Sequence, residues 1–507
     1  MENKTSAAAL YKLALPEEAR IKELYEQISI RCARLQQLGQ AVRATEYDKA
    51  FKGRLSEAIS FLQNECQGSR VTNAVEQLQL LAQKLGLKYQ QQGTSILLVS
   101  EGTFAFAVGI NEMRNVTGAK LMLGKDLEKD CHVMLELLRD GQYRKVGEHL
   151  GALTELSTRL AACPQKHSAL TGLFVIESIL ASMYKSSNYT KLVDEILHSH
   201  LGHVIPRSGG LPMKLVIYGA PNDLLDKQEL TVMDPVPEGL GFHLTILAEF
   251  SPQVNILPAT VNIFNASGKM LPVNSQNGVV AQAMLAMQLS SNVPASMVTI
   301  RKIHAQVYGS DQNFIAPQAK SYFEILLATT EGNLNFSSSE ARVVHLPSQR
   351  HYYFFPTSAT ALTGDVLSKV SFLHPFAVIQ IVSLLRQQLV FNNLIRSCFG
   401  GSSSNLNPET SDTELVCSIM ELTPPTNIKF EVNLMGGGPV FIEINIASSK
   451  PAMPDVMLGN SPQNMEINHY LIKVLEKCLS IPVMLYAYVK RLPQLQNSTS
   501  LGGGWQN

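Results

Sequence analysis

The sequence predicts an α+β chain: an N-terminal helical region followed by mixed antiparallel strand-and-helix domains. Three observations carry that expectation. Apolar residues recur every three or four positions at the start, then every two from about residue 94. Short β-rich runs come in pairs around turn signals such as Glu101-Gly102 and Pro347-Ser348-Gln349. With 507 residues and 45% apolar content, the chain is long enough to bury a large core or several.

The elements follow in order. Pro16-Glu17-Glu18 puts proline and acids in a first helical turn. Ile21, Leu24, Ile28, Cys32, Leu35 and Leu38 then form one apolar stripe, and Leu55, Ile59 and Leu62 continue the theme. Val71, Val75, Leu78, Ala82 and Leu85 mark a third helix, stopped by Gly86. Residues 94–100 and 103–110 read as a β-hairpin, with 116–123 as a third strand. Helices are expected from about 125 to 200, with Val146, Leu150, Leu153, Leu156 and Leu160 on one face. Strands are expected at MKLVIY, GFHLTILAEF and ATVNIF between 204 and 265. Shorter helices are expected at 279–289, 293–307 and 320–328. RVVHL and HYYFF form a second hairpin, DVLSKVSFL alternates like a strand, and a long helix runs from about 376 to 398. ELVCSIMEL, IKFEVNL and VFIEINI are three more strands; 465–478 is a helix and IPVMLYAYV a last strand.

These readings divide the chain into a helical region (1–90), a hairpin plus helices (91–203), a β-rich α+β region (204–399), a flexible loop (400–412), a C-terminal α+β region (413–492) and a disordered tail (493–507). Two or three strands precede a helix near 94–138, 341–398 and 413–478, which raises internal duplication as an expectation to test.

Composition narrows the function. Lys and Arg balance Asp and Glu at 42 each, so direct DNA binding is not expected. The N-terminus has no apolar secretory core, and no run reaches the ~18 apolar residues of a membrane helix. Seven dispersed cysteines, without a CxxC, read as reduced core thiols of an intracellular protein.

The one dense cluster of chemistry is HSHLGHVIPRSGG, residues 198–210. His198 and His200 point about 200° apart on a helix, so they cannot share an ion. Gly202 is a natural C′ residue that breaks the helix before His203, and histidines suit the negative end of a helix dipole. RSGG follows a helix and precedes a strand, the reverse of a phosphate loop, and reads as a tight turn. GLGFHL lacks a dinucleotide fingerprint, and GxSxG, HExxH and the kinase motifs are missing from the sequence. Glu431 and Glu443 fall on solvent faces of alternating strands. No catalytic, cofactor-binding or metal-ligating residue is therefore assigned, and no cofactor is expected. An enzyme whose site assembles from distant residues, for instance around His243, His304 or His374, stays open as an alternative; so does an unrelated intracellular adaptor. Nuclear-receptor boxes have the form LxxLL, which this sequence lacks; the nearest imitation is Ile381-Val-Ser-Leu384-Leu385, inside an apolar helix.

Four stretches together resemble the N-terminal folded region of the Mediator subunit 1 family: IPRSGGLPMKLVIYGAPNDLLDK (205–227), VLSKVSFLHP (366–375), LVFNNLIRSC (389–398) and YLIKVLEKCLSIPV (470–483). The resemblance implies a non-catalytic scaffold subunit of the Mediator middle module in the nucleus, relaying signals from DNA-bound activators to RNA polymerase II. Its implied partners are other middle-module subunits and transcriptional activators. Nuclear receptors are among the activators that animal members contact, through leucine boxes in a long disordered tail. This chain ends at Asn507 without that tail, so receptor docking by leucine boxes is not expected. The residues expected to bind a partner subunit are Ile21, Leu24, Ile28, Leu35 and Leu38; the alternative is that their stripe packs on its own domain.

Overall fold

The change of hydrophobic period expected near residue 94 comes slightly earlier in the computed structural model, where helix gives way to sheet between Leu85 and Lys88. The structure describes residues 74–500 except 101, 112–114, 125–128, 186–188, 221–240, 262–272, 275, 310–319, 332–339, 400–412, 435–437, 447–453 and 459–464. The stripe from Ile21 to Leu38 and the helical expectation for residues 1–73 lie outside the described residues. Helix α1 (Ala74–Leu85) ends at Gly86, whose φ of +67° suits glycine.

A meander follows: β1 (Lys88–Gln92), β2 (Ser95–Ser100), β3 (Phe104–Ile110), β4 (Val116–Leu123) and β5 (Lys129–Asp130), each pairing antiparallel with the next. β1 falls partly inside the stretch expected to be helical. Phe104, Phe106 and Val108 share one face through the two-residue strand period. That face packs on α1 and on helices α2 (His132–Arg139) and α3 (Tyr143–Arg159), where Leu78, Met134, Val146 and Leu150 complete a core.

Helix α4 (Lys166–Lys185) and short α5 (Leu192–His198) lead into the second sheet. Its strands are β6 (His203–Ile205), β7 (Lys214–Tyr218), β8 (Phe242–Pro258), β9 (Gly278–Ser296), β10 (Lys320–Ser321) and β13 (Thr363–Phe372), in the order β10-β13-β9-β8-β7-β6. Helix α6 (Met297–Tyr308) follows β9, and α7 (Tyr322–Glu331) follows β10. Gly172 of α4 faces Leu257 so closely that a Cβ there would sit 2.7 Å from the leucine Cβ; glycine is what lets this helix approach the sheet.

The third sheet is β11 (Arg342–Leu346), β12 (Gln349–Phe354), β14 (Thr413–Thr423), β15 (Asn427–Leu434), β16 (Pro439–Ile446) and β17 (Pro454–Leu458), in chain order, with β12 and β14 parallel and the other pairs antiparallel. Helix α8 (Pro375–Ser397) runs between the second and third sheets, and α9 (Met465–Cys478) and α10 (Ile481–Ser500) pack with the third. The second and third sheets share one hydrophobic core with α8. Because α8 has apolar residues on every side, it sits inside rather than on the surface.

Several expectations are corrected. Residues 279–289 are strand, not helix: β9 is central in its sheet, paired with β8 and β13, and those long-range pairings override a helix-forming run of Ala, Met, Gln and Leu. The helix expected from 293 starts at Met297, where the Ser296 side chain accepts from the Thr299 N–H. IPVMLYAYV is helix, and α10 continues to Ser500, through the first part of the expected disordered tail. Residues 259–261 of ATVNIF are outside any strand. Duplication fails, because the 341–398 and 413–478 blocks pool their strands into one sheet while β13 belongs to another, and the first block is a separate meander.

Candidate interaction surface

The histidine-rich stretch resolves into cross-links. α5 ends at His198, with Ser199 as its cap in extended conformation; Gly202 is therefore not the C′ residue. Its φ of +75° serves a different end: a Cβ there would come 2.2 Å from the Val216 carbonyl oxygen of β7. The cation at the negative end of α5 is Arg386 of α8. Its Nε donates to Ile217 O (2.6 Å), Nη1 to Ser199 O (2.5 Å) and Nη2 to Ile196 O (2.7 Å). Burial lowers the Arg386 guanidinium to about 10, still charged at neutral pH. His203 stands on β6, where its Nδ1, the Glu195 carboxylate and the Tyr184 hydroxyl meet within 2.9–3.0 Å of one another. Burial and the bond to Glu195 push the Tyr184 phenol up to about 12.

RSGG is the expected turn. Ser208 and Leu211 bridge across it, Gly209 has φ +54°, and Gly210 N–H donates to His149 Nδ1 at 3.1 Å. Arg207 grips the buried Glu177 with two bonds of 2.7 and 2.8 Å. The Arg207 guanidinium and the Ser208 and Gly210 N–H groups are thus engaged inside the protein. A cavity of about 160 Å³ lies next to Arg207, lined also by Arg159 and Glu155, which pair at 2.7 Å. It is well below the ~300–1,000 Å³ of a typical small-molecule site.

α8 carries a polar spine that ties distant segments together. Gln387 Nε2 donates to Ile446 O of β16 (3.0 Å). Gln388 Oε1 accepts from Ser296 N–H and the Thr299 hydroxyl, while its Nε2 donates to Asn392 Oδ1 and the Tyr322 hydroxyl. Asn392 Nδ2 donates to Pro294 O, and Tyr322 donates to Asn392 Oδ1. All of these side chains are buried, so each bond offsets a desolvation cost. The sequence reading treated this helix as apolar packing and missed the spine; the polar run Arg386-Gln387-Gln388 inside an apolar helix was the available signal. Ile381 and Leu385 of the leucine-box imitation are fully buried, so this segment is core.

The groups considered for an enzyme are dispersed. His243 lies on β8, its backbone N–H donating to Ser290; His304 lies on α6 against Tyr308; His374 caps α8, its Nδ1 accepting from Phe376 N–H. Burial raises the thiol pKa values of Cys398 and Cys417, the latter to about 12, which makes them poor nucleophiles. Among the described residues no three His, Cys, Asp or Glu side chains gather as a metal-binding group.

The outer face of the third sheet is different. Inward residues such as Leu415, Cys417, Phe430 and Ile442 are buried, and their strand neighbours turn outward. Cross-strand register places Phe354 opposite Ser418, Ser418 opposite Glu431 and Glu431 opposite Phe441; a second row runs from Lys429 through Glu443 to Met457. Phe354, Val416, Met420, Phe441 and Met457 are all exposed, Met420 at 55% and Phe441 at 53%. Glu431 and Glu443 stand on this face, as expected.

Taken together, the fold and its polar cross-links define an α+β protein whose distinctive features are internal ties and exposed faces. The family model described as Mediator of RNA polymerase II transcription subunit 1 matches residues 222–400, which include α8 and its spine. Over 88% of its length the chain is 24% identical to Mediator of RNA polymerase II transcription subunit 1 from Xenopus tropicalis, and over 87% it is 22% identical to that from Drosophila melanogaster. A putative subunit 1 from Dictyostelium discoideum is 30% identical across 31% of the chain, covering 22% of that protein. The chain spans about 30% of the length of the animal relatives it matches. The resemblance drawn from the four sequence stretches is borne out: over most of its length this chain is similar to Mediator subunit 1 proteins.

Proposed function

We propose that this chain is a non-catalytic structural subunit of the Mediator coactivator complex, housed in its middle module in the nucleus. There it helps relay signals from DNA-bound activators to RNA polymerase II. The observation that carries this reading is the similarity to subunit 1 proteins over 88% of the chain. The fold is consistent with it: the buried polar groups of α8 hold segments to one another, the requirement of a part that must keep its shape inside an assembly. The N-terminal stripe of Ile21, Leu24, Ile28, Leu35 and Leu38 is proposed as a contact with a neighbouring subunit. Transcriptional activators, nuclear receptors included, are proposed as further partners, although residues 1–507 carry no LxxLL box.

Sedimentation of nuclear extract tests the reading. The 507-residue chain alone has a mass of 55.7 kDa. As a Mediator subunit it runs in the heavy fractions together with other Mediator subunits. Migration at the monomer position, with those subunits elsewhere in the gradient, contradicts the proposal.

A further inference from the structure

We propose that the outer face of the third sheet is a docking surface for a basic amphipathic segment of another polypeptide in the assembly. The inference rests on the reading above in one respect: it takes the chain to work inside a complex.

The apolar content comes first. Phe354 of β12, Val416 and Met420 of β14, Phe441 of β16 and Met457 of β17 are all more than a third exposed; the register puts Phe354, Val416, Phe441 and Met457 on the side of the sheet away from the core, and Met420 stands at the bulge between Ile419 and Glu421. An antiparallel sheet commonly leaves one face wet, and that face is then mostly polar. Two phenylalanines and two methionines on this one depart from that pattern. Methionine adapts its shape to an incoming apolar side chain, and phenylalanine offers large area with few rotamers to freeze.

Charge decides the occupant. The same face carries five carboxylates, Glu414, Glu421, Glu431, Glu443 and Asp455, against two permanent cations, Arg350 and Lys429, a net charge of −3. The whole chain is neutral, so the excess is local. Lys429 lies 3.1 Å from Glu421 and 3.8 Å from Glu443, and Arg350 lies 3.6 Å from Glu414. Both cations thus stand beside carboxylates of the face itself, and the acidic surplus is left for a ligand. An acidic surround with apolar patches between complements an apolar stripe flanked by Lys and Arg. A second copy of this chain would bring an identical acidic face against it, so self-association through this face is disfavoured. The sheet also holds its residues on a preformed framework. The Asn427 amide bonds Glu443 at 2.6 Å, and the Tyr352 hydroxyl bonds Glu414 at 3.1 Å, so part of the rim is ordered before a partner arrives.

The test is site-specific photo-crosslinking in the intact complex. The full chain is expressed in its source cells with benzoylphenylalanine in place of Phe441, an aromatic-for-aromatic change at an exposed site. After irradiation of the isolated nuclear complex, the crosslinked peptides are identified by mass spectrometry. The expected product is a segment of a different polypeptide with apolar residues at helical spacing and a net positive charge. Adding Glu431→Lys to the crosslinking chain should lower the yield about tenfold, since a like charge is set against the ligand's flank. A crosslink to an acidic or neutral segment, to a second copy, or to this chain's own N-terminal residues overturns the proposal. So does no crosslink above the unirradiated control, or a yield insensitive to Glu431→Lys. The two readings separate cleanly: a basic amphipathic partner outside Mediator leaves the face standing and removes the functional reading. Recovery within Mediator without the crosslink does the reverse.

Discussion

Replacing Arg386 by methionine keeps the volume of the side chain and removes its three donors. The Ile196, Ser199 and Ile217 carbonyls, now bonded at 2.5–2.7 Å, would be left in a site where Arg386 itself is 1% exposed. Each stranded buried acceptor costs about 1–3 kcal/mol. Against that stands the relief of no longer burying a charge, worth several kcal/mol. Three acceptors at about 2 kcal/mol each, less about 3 kcal/mol of relief, leave a net loss of about 2–4 kcal/mol, felt where α5 meets β7. A chain with two cores need not unfold in one step, so the readout should be local. Amide hydrogen exchange at residues 199–204 and 214–218 should speed up by about 30- to 700-fold, which is 2–4 kcal/mol at 1.4 kcal/mol per decade. Lysine at the same position keeps the charge without the planar fork and should fall between the two. If methionine leaves exchange in both segments unchanged, the carbonyls are finding water and the tie between α8 and α5 has no energetic weight.

Tyr322→Phe removes the hydroxyl that bonds Asn392 and Gln388, and should lower stability by about 1–2 kcal/mol in denaturant melts; no change would make the spine decorative. Gly210→Ala places a Cβ 2.1 Å from the His149 carbonyl oxygen, and overpacking of that kind costs about 1–3 kcal/mol or more; a variant that melts like the parent contradicts the close approach. Burial lowers the His351 imidazole to about 4. The folded state therefore binds fewer protons than the unfolded one between about pH 6.5 and 4, and stability falls as pH drops through that window, by about 3 kcal/mol in total. His351→Gln should flatten the slope of stability against pH there, and an unaltered slope would assign it to other groups. Alanine at Ile21, Leu24 and Ile28 together should weaken co-purification with other Mediator subunits while the melting of the C-terminal region stays the same; unaltered co-purification rejects that contact.

Periodicity made most of the fold legible. The two-residue alternation of 363–372 and 439–446 and the long apolar helix from 375 were readable because local pattern and tertiary environment agree there. β9 was not readable because its residues favour helix and only pairing with β8 and β13 makes them extended. α10 is the reverse case: IPVMLYAYV read as a strand, yet the buried Ile481, Met484, Leu485 and Tyr488 stand at helical spacing that the sequence already contained. The cross-links were harder to see. Arg386 reaches carbonyls about 170–190 residues away in the chain, and the Gln388–Ser296 bond spans 92 positions. A hydrogen bond to main chain leaves no residue-type signature at its far end, so sequence alone cannot name it. Of the interaction surface, alternation exposed which residues of each strand face outward, but the acidic surplus emerged only once register set five strands side by side.

Affinity purification of the tagged full chain from nuclear extract, followed by mass spectrometry of everything retained, addresses the central claim most directly. A structural subunit of Mediator should bring down other Mediator subunits in comparable molar amounts, and retain them through washes at moderate salt. Recovery of the chain with no Mediator subunit enriched over an untagged control would contradict the account.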